Sequence, residues 1–146
     1  MLIILQALAS LALRFALALP FWNSGLTRWE GFLKLRDATL YLYANEYKPT
    51  ILGKSYAMPY PEIAAWVGSF AEIVLPAALV IGFATRLSAL GLLIMTGFIY
   101  TTYQSLGVNP WQTETLPWGA MALALIAYGP GLFSFDRLIW SSVRGR

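Results

Sequence analysis

The sequence predicts an all-α membrane protein: a four-transmembrane-helix bundle with an amphipathic segment in its first loop. Three observations predict it. Of the 146 residues, 58% are apolar or aromatic and only 12% are charged, against roughly 45–50% and about 25% in ordinary soluble domains. A soluble domain of this length has too little interior to hide so much apolar surface, and the mean hydropathy is +0.61. The apolar residues also gather into four stretches close to the roughly 20 residues that cross a hydrocarbon core.

The first stretch, Leu2 to Phe21, is apolar except for Gln6, Ser10 and Arg14. Read as a secretory signal it lacks a basic start, and Arg14 sits badly for the apolar region, so a retained helix is expected. The second, Ile63 to Phe83, carries Ser69 and Glu72 as its strongly polar side chains. Pro61 and Glu62 suit the first turn of that helix. The third runs from about Leu87 to Tyr103 without a charge. The fourth lies between about Leu116 and Phe135, and Gly129-Pro130-Gly131 should end or kink it. A short amphipathic helix is expected after it, with Ser134 or Asp136 as N-cap.

Between the first two stretches lies a polar segment, Asn23 to Pro61, with five of the ten basic residues: Arg28, Lys34, Arg36, Lys48 and Lys54. Within it, Gly31 to Glu46 reads as an amphipathic helix. Five tyrosines between Tyr41 and Tyr60, together with Trp29, suit a segment lying along the headgroups. Arginines at 137, 144 and 146 crowd the C-terminus, which favours both termini in the cytoplasm.

Cysteine and histidine are both absent. Without them, disulfides, dithiol redox chemistry, iron–sulfur clusters, protein-ligated haem and the usual zinc sites are excluded. No metal and no covalent cofactor is expected. A net charge of +3 without a basic run gives nucleic acid no surface to bind.

Charges inside apolar spans are costly and mark function or obligatory packing. Gln6, Ser10 and Arg14 fall four residues apart and share one helix face. Counted from the first loop, Arg14 and Glu72 lie at similar depth if the first helix ends near Phe21, which predicts an Arg14–Glu72 ion pair. Such a pair is either a lock between two helices or a ligand or proton site. Tyr100 and Gln104 are candidates for the mouth of a cavity, with an interfacial aromatic belt as the simpler reading. Arg86, beyond a tight turn, is a candidate for lipid phosphate, or a plain anchor.

Three segments carry a family resemblance. Arg14 followed by Phe21-Trp22-Asn23-Ser24-Gly25-Leu26-Thr27-Arg28-Trp29 resembles the opening of the DoxX family. Phe70-Ala71-Glu72-Ile73-Val74-Leu75-Pro76, running on to Leu79-Val80-Ile81-Gly82-Phe83-Ala84-Thr85-Arg86, is similar to its second helix. Tyr128-Gly129-Pro130-Gly131 with Ser134-Phe135-Asp136 looks like its glycine-rich close. Arg28 stands where the family often has lysine, a change that keeps the cation. The resemblance implies a small four-helix inner-membrane protein of a bacterium or archaeon. It places Arg14, Glu72, Arg86 and Asp136 at polar positions of the family pattern, with Arg28 among its interfacial positions.

The family takes its name from a membrane subunit associated with thiosulfate:quinone oxidoreduction, which implies a membrane redox setting. The leading expectation is therefore a non-catalytic membrane subunit of a quinone-linked redox or envelope-stress system. It would bind a quinone or lipid-like ligand between its helices, with electrons handled by that ligand or by a partner protein. Membrane lipids, a redox partner and a second copy of the chain are the expected associates. The rival expectations are a small proton-coupled transporter using Glu72 and a structural or assembly scaffold.

Overall fold

The computed structural model describes residues 1–105 and 115–145. Helix α1, Leu2–Thr27, runs a full turn and more beyond the expected end at Phe21. Nothing in Trp22-Asn23-Ser24 breaks a helix, and the Ser24 side chain finds a partner in Glu72. Helix α3, Pro61–Ile81, begins with proline at N1 and Glu62 in its first turn, as the sequence suggests. It ends at Gly82, whose φ of +74° is a left-handed conformation that suits glycine. Helix α4, Thr85–Ser105, follows after a short turn. Helix α5, Thr115–Tyr128, stops at Gly129-Pro130-Gly131, well before Phe135. Both glycines there have positive φ. Helix α6, Phe135–Arg144, is capped by Ser134, whose hydroxyl accepts from the Arg137 N–H at 3.3 Å.

The first loop departs from the single amphipathic helix expected over 31–46. Strands β1 (Trp29–Gly31) and β2 (Lys34–Leu35) form a hairpin, with Leu33 at positive φ in its turn. Only then does helix begin, as α2 (Asp37–Tyr41) running into a π-helical turn over Leu42–Glu46. A second small hairpin pairs β3 (Thr50–Ile51) with β4 (Lys54–Ser55). The reason for the first hairpin is local. The Arg28 carbonyl accepts from the Arg36 N–H at 3.0 Å and from the Thr39 hydroxyl at 3.1 Å, folding the segment back onto the end of α1.

Helices α1, α3, α4 and α5 pack in a closed ring, each against the next. The core between them holds Leu17, Phe21, Leu79, Leu92, Ala122 and Leu125. A smaller cluster of Leu35, Tyr43 and Ala65 docks the first loop on α3. Outward faces are apolar: Ile4, Leu8, Val67, Phe70, Ile94 and Leu123 are all exposed. That belt would be a liability in water and suits hydrocarbon. Among the described residues, α1 and α3 are long and apolar enough to cross a membrane, and α5 is shorter.

Candidate functional site

The antiparallel register of α1 and α3 decides where the polar residues meet. A Cβ on Gly25 would lie 2.9 Å from the Glu72 carbonyl oxygen, so Gly25 sits directly against Glu72. Arg14 lies at the level of Val80 and Gly82. The predicted Arg14–Glu72 pair is therefore not formed. Arg14 precedes Gly25 by about three turns of α1, or roughly 16 Å at 1.5 Å per residue, which no arginine side chain spans.

Each member of that expected pair has another partner. Glu72 pairs with Arg28, Nε to Oε2 at 3.3 Å, with side chains only 6% and 15% exposed. The Ser24 side chain also reaches the Glu72 carboxylate. Arg28 Nη1 donates to the Tyr47 hydroxyl at 2.9 Å, and its guanidinium lies 5.5 Å from the Tyr47 ring centre. Arg28 lies on the same side of the end of α1 as Ser24 and Gly25, which precede it by four and three residues. Tyr43 and Tyr47 come from the π-helical turn and its exit, with their rings edge to face at 5.0 Å. The Tyr43 hydroxyl rests on Gly68, where any side chain would collide with it.

Burial pushes the Tyr43 phenol up to about 12, and the Glu72 carboxylate adds to the effect. Burial alone would lower Arg28, but Glu72, Tyr47 and Tyr43 outweigh it and hold the guanidinium above its ordinary value.

This polar cluster forms one end of a cavity of about 440 Å³. Its walls are apolar, from Phe21, Leu75, Met95, Phe98, Ile99 and Trp118. Val67 and Ile94 also line it, and both are exposed on the outer surface, so the cavity opens sideways between α3 and α4. Its size lies inside the roughly 300–1,000 Å³ range of ligand pockets. Guanidinium and phenol donors at the closed end, with an apolar flank, can hold a molecule that has oxygen acceptors at one end and hydrocarbon at the other.

The opposite end of the bundle collects the other polar residues. Arg14 is fully buried. Its Nη1 donates to the Val80 carbonyl at 3.3 Å and its Nη2 to the Phe133 carbonyl. It thus satisfies a carbonyl left over at the end of α3 and ties in the segment before α6. Asp136 accepts from the Ala84 and Thr85 N–H groups at 2.6 and 2.8 Å, capping the start of α4. The Ser10 hydroxyl donates to the Gly129 carbonyl at 3.2 Å. Gln6, Ser10, Arg86 and Asp136 all line a second, larger cavity at this end.

The predicted site residues thus separate into two groups. Arg28 and Glu72 stand together near the first loop, and Gln6, Ser10, Arg14, Arg86 and Asp136 stand together near the opposite end. Tyr100 lines neither of these two cavities, and the Gln104 side chain lies outside the described residues. Sequence reasoning missed Ser24, Tyr43 and Tyr47. The four-residue spacing of Ser24 and Arg28 carries the signal for the first of these once α1 is extended.

A ring of four helices with an apolar outer face and buried charges at its two ends defines a helical membrane protein. The sequence pattern of the DoxX family matches residues 9–105. The chain belongs to the DoxX family. No curated protein and no solved structure matches it.

Proposed function

We propose that this DoxX-family protein is a non-catalytic membrane subunit that holds an isoprenoid-quinone-like molecule in the cavity near its first loop. One observation carries the reading: a side-opening apolar cavity that ends on Arg28, Glu72 and Tyr47. The guanidinium and the Tyr47 phenol would meet the ring oxygens, and the isoprenoid tail would leave past Val67 and Ile94 into the lipid. Electron transfer would then belong to the bound quinone and a partner, since the chain has no cysteine or histidine to hold a redox metal. The setting is the plasma membrane of a bacterium or archaeon, with the four long helices as spans and both termini in the cytoplasm.

Glu72 is held by Arg28 and Ser24. That arrangement favours an orienting role over that of a freely titrating carboxylate in a transporter. The test is organic extraction of the detergent-purified protein. Quinone at close to one molecule per chain, depleted in Arg28→Gln, is the expected result. Bulk phospholipid alone, equal in both proteins, overturns it.

A further inference from the structure

The cavity at the opposite end differs from the first in size, charge and exposure. It measures about 1130 Å³, beyond the roughly 300–1,000 Å³ of compact ligand pockets. Its apolar walls come from Ile3, Leu13, Leu87, Leu125, Ile139 and Trp140. Three charged side chains line it: Arg86, Arg137 and Asp136. Asp136 is occupied, since its two carboxylate oxygens accept the Ala84 and Thr85 N–H groups, and Arg14 faces it from α1. Neither arginine has a carboxylate partner among the described residues, whose ion pairs are Arg28–Glu72 and Lys34–Glu30.

Arg86 lies against Gly129, with its Nε and Nη2 each 3.4 Å from where a Cβ would stand. Both arginines are exposed at the rim. Beneath them, at the start of the 21-residue helix α4, Thr85 is fully buried and its hydroxyl has no hydrogen-bond partner. Thr85 also lines the cavity. An orphan hydroxyl and two unpaired guanidiniums line the same cavity.

We propose that this cavity is a binding site for an anionic phospholipid, its phosphate held by Arg86 and Arg137 above Thr85 and its acyl chains lying along the groove between α1, α5 and α6. The apolar walls fix the occupant as a lipid. A free phosphate would satisfy the cations and leave the groove empty, whereas a zwitterionic phospholipid would fill the groove but bring its own cation to compete with the two guanidiniums for the phosphate. The site does not depend on what occupies the cavity near the first loop.

Native mass spectrometry of the full chain, released from nanodiscs of phosphatidylcholine mixed with phosphatidylglycerol, tests it. Phosphatidylglycerol should be retained in preference to phosphatidylcholine. Arg86→Gln and Arg137→Gln should each lower that preference roughly fivefold, as expected for a basic side chain at a lipid surface. The lysine variants at both positions keep the charge and should keep most of the preference, which separates lost recognition from lost folding. Excess inorganic phosphate should not displace the lipid. Equal retention of the two lipids, an unchanged preference in the double glutamine variant, or displacement by inorganic phosphate overturns the proposal.

Discussion

Buried arginines do different work at the two ends of this molecule. Arg28 compensates a carboxylate, so removing it strands Glu72 as an unpaired buried charge. Arg28→Met should cost about 3–5 kcal/mol. The double variant Arg28→Met/Glu72→Met should lose less than Arg28→Met alone, because it removes both charges together. Thermal unfolding of the four proteins of that cycle in detergent checks both statements. Arg14 compensates main-chain carbonyls, and its loss leaves Val80 and Phe133 without a donor. Arg14→Met should cost about 1–3 kcal/mol, and Arg14→Lys should recover part of it, since an ammonium lacks the fork that reaches both carbonyls.

Tyr43 offers a spectroscopic handle on the same scale. An exposed tyrosine ionises near pH 10, and the docked Tyr43 near 12. The preference for the docked loop is therefore complete below about pH 10 and is lost as pH climbs through 12. One tyrosinate should appear late in an absorbance titration and be missing in Tyr43→Phe.

At the scale of elements, the fit of α1 to α3 rests on a glycine. A Cβ at Gly25 would stand 2.9 Å from both the Glu72 carbonyl and the Ile73 Cδ1. Gly25→Ala should force the helices apart and destabilise by about 1–3 kcal/mol, with a matching loss by fluorescence of the edge-to-face contact of Trp29 with Trp66, whose ring centres lie 5.5 Å apart. This contact also explains what could and could not be read from the sequence. The helices themselves, the break at Gly129-Pro130-Gly131 and the Ser134 cap were legible, because propensity and capping act locally. The partner of Glu72 was not. An apolar pattern says which face of a helix turns inward, but how far one helix slides along another is set by close contacts such as Gly25 on Glu72. Levelling α1 and α3 at the first loop leaves Arg14 near the depth of Glu72 wherever α1 stops between Phe21 and Thr27, and only the contact of Gly25 on Glu72 moves it away. The first hairpin was illegible for a similar reason: it forms around the Arg28 carbonyl, a partner outside the segment that was read as a helix.

At the scale of the whole molecule, the polar residues lie at the ends and the apolar core lies between them. Reporter fusions at the two termini should both report the cytoplasmic side, and one at Lys54 in the first loop the opposite side. Both termini reporting outside would reverse the proposed orientation. The polar side chains expected to meet at the centre of the bundle are instead split, with Arg28, Glu72 and Tyr47 at one end and Arg14, Arg86 and Asp136 at the other.

Pro76 lies inside α3 and has no N–H to give the Glu72 carbonyl, the same carbonyl that Gly25 touches. The hydrogen-bond ladder of α3 is thus interrupted at the residue that carries the ion pair. Helices bend where that ladder is missing a rung. Before this point α3 bears Gly68 and Glu72; after it, the helix is held by Arg14 at Val80. Helix α3 is thus held on both sides of the break, by the first loop and Arg28 before it and by Arg14 after it, with a soft joint between. Flexing at that joint would change the width of the cavity bounded by Glu72 and Leu75.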